Sequence, residues 1–320
     1  MNVVPDSYIR VMPDKLHAFT RSAFLKAGLD EEAAQLLADV LVAADLRGVF
    51  SHGTRMTTSY ATQFTSGDLN PQAQISVERE TATMVHVDGD GGLGYAPSFK
   101  AIRMAVAKAR AQGVAVATTC NHGHFGSAGH YTRVAMDAGC VGIAVSSHYR
   151  DFSPEASILG ASGASPISIA VPAGEQPPLI LDMASSGERA TEMFPETPGT
   201  IFKMLGFGLV CHALGGIVAG TVSMEEAGPR QWEGVDQGAL FIVFHLDQLI
   251  DPGVQRRQMD EFIANLRNMQ PAPGLDRTDI PGGLEHEREC LWAREGIPVG
   301  ERHQAALQSA ATDLDVPVPW

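Results

Sequence analysis

Ser51, His52 and Gly53 follow one another just past a helix-forming run that stops at Gly48. A histidine with an ordinary pKa near ~6.5 can give or take a proton at neutral pH. The flanking Gly48 and Gly53 place His52 on a tight, exposed turn, where a functional role is favoured. A serine hydrolase is not expected. Adjacent side chains of an extended segment point opposite ways, so Ser51 should not be activated by His52. No Gly-x-Ser-x-Gly elbow occurs either. Ser51 is expected instead to cap the third helix or to orient a neighbour.

Two other clusters could carry chemistry. His122, His124 and His130 fall in "NHGHFGSAGHY". Zinc ligands often come as close histidine pairs with a third ligand elsewhere. No acid or cysteine accompanies these at ligand spacing, so no metal is expected. His124 alone is read as facing a cleft at the C-terminal end of a strand, where α/β proteins bind ligands. "GDGGLG", Gly89 to Gly94, fits G-x-G-x-x-G between a strand and a helix. Backbone N–H groups at such a helix start can hold a pyrophosphate. The next strand ends in "TTCNHGHFG", without the acid that would take the ribose hydroxyls. A tight glycine turn is the plainer reading.

These groups are carried by recognisable elements. Helices are expected over 13 to 27, from the Asp30 N-cap to Gly48, and over 54 to 65, the last carrying Tyr60 and Phe64. Strand-like runs at 81–88, 114–120, 141–147, 165–172, 178–185 and 238–246 alternate with helices at 97–113, 127–139 and 204–220. Helices near 255–268, 284–295 and 303–313 close the chain. The pattern predicts an α/β protein with a mixed sheet domain over 76–249. A helical domain is expected from both chain ends, 1–75 and 250–320, packed together around it.

Composition narrows the partners. With 23 Lys and Arg against 37 Asp and Glu, the formal charge of −14 argues against nucleic acid and anionic membranes. A small anionic substrate remains compatible, since one pocket can be positive. The four cysteines show no C-x-x-C and read as reduced, buried thiols of a cytoplasmic protein. The N-terminus lacks a basic start followed by an apolar run, so no signal peptide is expected. "MLGFGLVCHALGGIVAG" (204–220) is glycine-broken and slightly short for a span, and reads as a buried core helix.

"ADLRGVFSHGTR", "HFGSAGHY", "LILDMASS", "LGFGLVCHALGGIVAG", "IPGGLEHERE" and "REGIPV" occur in an order that resembles the type-2 malate/L-lactate dehydrogenase family. The resemblance runs from about residue 10 to the C-terminus. It implies a mixed α/β fold that is not Rossmann, a homodimer, and an oxidoreductase using NAD or NADP. The substrate would be a small 2-oxo acid, 2-hydroxy acid or cyclic imine. It also implies that "GDGGLG" is not the nucleotide cradle. By resemblance His52 is the proton donor, with Ser51 beside it and Asp182 assisting, and His124 a proton acceptor. Arg55 and Tyr60 would bind substrate. Asp182, Met183, Ala184, His148, Lys203 and Gly282 would bind the cofactor.

The chain also departs from the family pattern. The arginine expected four residues after the SHG histidine is Met56, with Arg55 one residue earlier. On a regular helix that is about 100° of rotation, so Arg55 does not simply replace it. Leu205 stands in a lysine's place, Gly283 in an acid's, and the segment after Asp182 is shortened. Arg189 and Lys203 are the cations left between Asp182 and Gly220. Lys203 reaches the lysine's pocket only if residues 199–204 are non-helical, which Pro198 and Gly199 would favour. The alternative reading is a family descendant that no longer binds the dinucleotide and catalyses isomerisation or elimination by proton transfer.

Overall fold

A computed structural model describes residues 3–150, 152–161, 165–184, 190–221 and 231–320. The chain divides into two compact units, residues 1–73 with 270–320, and residues 74–269.

The first unit begins with β1 (Tyr8–Val11) and α1 (Pro13–Lys26), which carries proline in its first turn, where no N–H partner is lost. The Asp30 side chain caps α2 (Glu31–Leu46), accepting from Ala33 N–H at 2.8 Å. Gly48 ends that helix in the left-handed region, and a Cβ there would crowd Arg288. Two short 3₁₀ turns, Phe50–His52 and Thr54–Met56, lead into α3 (Thr57–Ser66), which Gly67 closes with φ +85°.

The second unit is built on seven strands, β2 (Ser76–Glu80), β3 (Met84–Asp88), β4 (Val114–His122), β5 (Cys140–His148), β6 (Pro166–Val171), β7 (Leu179–Ala184) and β8 (Gln237–His245). Their order is β2-β3-β4-β8-β5-β6-β7. Among the described residues only β3 and β4 run parallel, so the sheet is mixed. Helices α4 (Tyr95–Gln112), α5 (Gly129–Asp137), α6 (Ala190–Met193), α7 (Pro198–His212) and α8 (Pro252–Arg267) complete it. The second boundary lies at 269/270 rather than 249/250, because α8 is tied to the sheet unit. Asp260 accepts the backbone N–H groups of Gly174, Glu175 and Gln176, and Gln255 donates to the Pro172 carbonyl.

The chain then returns to the first unit through α9 (Gly283–Glu295), β9 (Ile297–Gly300) and α10 (Glu301–Leu314). β9 pairs antiparallel with β1. Leu16, Phe19, Val42, Trp292, Ile297, Val299 and Leu307 form the core there.

The 204–220 segment is not a buried core helix. It belongs to a helix that starts at Pro198 and passes into a π turn at Ala213–Ile217. Ile201, Leu205 and Cys211 face inward, while Phe202, Val210 and Ile217 are 54%, 57% and 67% exposed. Of the four thiols, Cys140 and Cys211 are buried, Cys120 is half-buried and Cys290 is exposed.

Candidate functional site

In the helical unit Ser51 and His52 are not on an extended segment. They occupy a 3₁₀ turn, where neighbouring side chains project about 120° apart. Ser51 Oγ and His52 Nδ1 form a hydrogen bond of 2.8 Å. Ser51 therefore orients its neighbour. It caps nothing, since α3 starts after Met56 with no side-chain cap.

Several contacts pin this turn. Phe50 stacks on Trp292 with ring centroids 5.8 Å apart and meets the His303 ring edge-on. Just ahead of it, Arg47 is paired with Glu289 at 2.9 Å. A cavity of about 570 Å³ opens beside it, lined by Phe50, Ser51, Arg55, Pro298, Arg302 and His303 among others. Arg55, in the 3₁₀ turn Thr54–Met56, lines this cavity. Arg55 makes no hydrogen bond or ion pair with any described residue. Tyr60 is fully buried in α3, so as a core residue it does not bind substrate as expected. Gly282 is buried and left-handed, with φ +90°, and sits at the N-cap of α9.

In the sheet unit the glycine cluster is a turn and no phosphate cradle. The N–H groups of Gly89, Gly91, Gly92 and Gly94 donate to the carbonyls of Cys120, Asn121, Gly89 and His124. A Cβ at Gly94 would meet His122 Nδ1 and Phe125. His122 is fully buried, and both ring nitrogens are engaged. Nδ1–H donates to the Gly123 carbonyl at 2.7 Å, and Nε2 accepts from Thr119 Oγ1 at 2.8 Å. His130 is buried edge-on to Tyr95. Of the three clustered histidines His124 is the half-buried one at the end of β4 that remains a candidate.

Burial pushes the His122 pKa down to about 4. Between pH 4 and 6.5 the unfolded chain binds a proton there that the folded chain does not. Its contribution is present above pH 6.5 and lost as pH falls through that window, on the order of 3 kcal/mol. Urea unfolding at pH 7 and pH 4.5 should show this fall, and His122→Gln should flatten it. A variant with the wild-type slope would remove His122 from the account.

Asp182, Met183 and Ala184 are the exposed end of β7, the edge strand of the sheet. Asp182 accepts from Ser127 Oγ at 2.5 Å. A Cβ on Gly129 would meet this carboxylate and the Arg133 guanidinium. His148 ends β5, half-buried. Beside it lies a group the motifs did not single out. His212 is buried, with Nδ1 2.7 Å from Ser147 Oγ, which is 2.9 Å from Ser165 Oγ. Burial lowers the His212 pKa, as do the neighbouring His148 and Arg150. The clue in the sequence was one histidine inside the apolar stretch 204–220.

Lys203 does not extend from a loop. Pro198 begins α7 instead of delaying it, so 199–204 are helical. Lys203 is exposed, on a different side from the buried Leu205. Arg189 lies outside the described residues.

Comparison with known proteins gives the family. The sequence model of malate/L-lactate dehydrogenases matches residues 11–193. A malate dehydrogenase from Pyrococcus horikoshii is 37% identical over an alignment covering 98% of each chain. Its structure superposes with a TM-score of 0.85 over 99% of both chains, where 27% of the spatially paired residues are identical. The two identities differ because one pairs residues by sequence and the other by position. An L-sulfolactate dehydrogenase from Methanocaldococcus jannaschii is 29% identical, covering 90% of this chain and 92% of the relative. A ureidoglycolate dehydrogenase (NAD(+)) from Escherichia coli K12 is 24% identical over 91% and 93%.

Proposed function

The chain belongs to the malate/L-lactate dehydrogenase family and is a dehydrogenase; from that premise we propose that it moves a hydride to or from a small 2-oxo acid, 2-hydroxy acid or cyclic imine, with His52 as proton donor. The observation that carries the residue assignment is the hydrogen bond from His52 to Ser51, which itself lines a cavity together with Arg55, a guanidinium without an ion pair among the described residues.

Reducing a C=O carbon leaves charge on oxygen unless a proton arrives with the hydride. In the proposed step, protonated His52 gives the proton on Nε2. The proton that remains on Nδ1 is held by Ser51 Oγ, which fixes the ring plane. Arg55 takes the substrate carboxylate, which suits a planar guanidinium. Oxidation of a 2-hydroxy acid runs the same transfer backwards. His124 is a second candidate for proton transfer.

Family membership implies a nicotinamide nucleotide, which supplies or accepts the hydride. The residues present fit such a group at the open edge of β7. Asp182–Ala184 are exposed there, and glycine at 129 lets the Asp182 carboxylate and the Arg133 guanidinium lie against the start of α5. His148 is proposed as a further contact. NAD and NADP are both carried forward, and Lys203, exposed on α7, is kept as a candidate phosphate contact.

The test is a fluorescence titration with NADH and NADPH, followed by turnover assays on malate, lactate, sulfolactate and their 2-oxo forms. Micromolar to submillimolar binding of one cofactor, with turnover, is expected. Binding of neither at millimolar concentration would overturn the redox reading. It would leave non-redox proton transfer by His52 and His124 as the function.

We further propose a cytoplasmic homodimer. The exposed side of α7 and of the π turn after it, with Phe202, Val210 and Ile217, is the apolar surface a second copy would cover. An obligate interface buries on the order of 2,000 Å² or more. Light scattering at micromolar concentration should give about twice the chain mass, and a monomer would refute the proposal.

A further inference from the structure

Asp45 lies on the last turn of α2, fully buried, and the proton transfer proposed above makes no use of it. Its Oδ2 accepts two hydrogen bonds from one residue. Thr54 donates its backbone N–H at 2.9 Å and its Oγ1–H at 2.5 Å. The same Thr54 oxygen is 2.8 Å from His303 Nε2. Because the hydroxyl proton goes to Asp45, the histidine is the donor. The other carboxylate oxygen, Oδ1, has no hydrogen-bond partner among the described residues, and a Cβ on Gly53 would overlap it.

Burying a carboxylate is costly unless it is paired and hydrogen-bonded. Here Asp45 holds the segment that carries the reacting groups. Gly53 joins the two 3₁₀ turns, Phe50–His52 and Thr54–Met56, and such turns have weak internal hydrogen bonding. Gly53 N–H reaches the Phe50 carbonyl at 3.5 Å. Left to itself, this junction is where the segment would bend. Asp45 holds it at two points, lying where a Gly53 side chain would be and bonding Thr54. His52 lies immediately before the grip and Arg55 immediately after it. His303 extends the grip to α10, and it shares the cavity wall with Ser51 and Arg55. Burial keeps His303 neutral, its pKa pushed down to about 4.

We propose that Asp45, Thr54 and His303 are positioning residues for the reaction, clamping the Gly53 junction so that His52, bonded to Ser51 on the cavity wall, keeps a fixed relation to Arg55 on the same wall. The proposal rests on His52 being the proton donor. A misplacement of about 1 Å can cost on the order of a hundredfold in rate.

The experiment compares wild type with Thr54→Val, Thr54→Ser and His52→Ala. Thr54→Val keeps the shape and the backbone N–H bond and removes the hydroxyl. Its kcat should fall tenfold or more. The solvent deuterium isotope effect on kcat should rise, because proton transfer becomes limiting. Nicotinamide-nucleotide affinity should stay within twofold, and Thr54→Ser should restore kcat to within threefold of wild type. A purely structural role would lower the binding-competent fraction and leave the isotope effect unchanged. That result would overturn the proposal, as would a folded Thr54→Val with kcat within twofold of wild type. Should Thr54→Val not fold, Asp45→Asn takes its place. It keeps the volume and an acceptor oxygen while removing an acid whose pKa burial pushes up to about 7, and the same readouts apply with a threefold fall in kcat as the threshold. Loss of activity in His52→Ala but not in Thr54→Val sinks the clamp alone. Retained activity in His52→Ala sinks the proton-donor reading, and the clamp with it.

Discussion

His52→Ala should lower kcat by a factor of about 10² to 10⁴ while circular dichroism, melting temperature and cofactor affinity stay near wild type. The range is what general acid catalysis contributes. Preservation of the fold is expected from the site, since His52 is half-buried on a short 3₁₀ turn. The substrate identified in the turnover panel supplies the assay. A loss below tenfold would remove His52 from the chemistry. Ser51→Ala should do less, because it removes the ring's partner and leaves the ring.

Gly53→Ala is the second change expected to have a large effect, for a different reason. The backbone at Gly53 is extended, with φ −94° and ψ −159°, so conformation alone would tolerate any residue. Space does not. The added methyl would overlap Asp45 Oδ1, and Asp45 is fully buried. Either the carboxylate or the turn must move. Overpacking of this kind costs about 1–3 kcal/mol, and displacement of the turn should reduce kcat/KM at least tenfold. Urea denaturation and steady-state kinetics on the same preparation read both effects. Wild-type stability together with wild-type kcat/KM would show that the turn adapts freely. The glycine of the SHG motif would then not be there to make room for Asp45.

Several elements were legible because neighbouring residues set them. Asp30 caps α2 with its own side chain, Gly48 and Gly67 stop helices where φ must be positive, and the strands from β3 to β8 follow local apolar runs. The SHG and HFG motifs, read as a resemblance, gave the family. Other elements carry no local signal. β1 and β9 are four residues each and pair across more than 280 positions. β2, "SVERE", is mostly exposed at a sheet edge and has no apolar face to read.

The site divides in the same way. The residue types at 51, 52 and 55 were visible as candidates, but their geometry was not. Two glycines permit a tight turn without specifying it. Its 3₁₀ form is supported by Phe50 on Trp292 and by Asp45 on Thr54 and Gly53. Lys203 fails as a loop residue because a proline can begin a helix as readily as end one, and the sequence around Pro198 does not decide which. Tyr60 fails because its surroundings, not its type, bury it. By itself the sequence determined most of the helices and the strands from β3 to β8, since those preferences are set within a few residues. Only the tertiary structure decided that the acid at position 45 would be stripped of water and left to bind Thr54, whose hydroxyl meets a histidine 249 positions away. Desolvation depends on every chain segment that closes over a group, so that part of the site had no local signature.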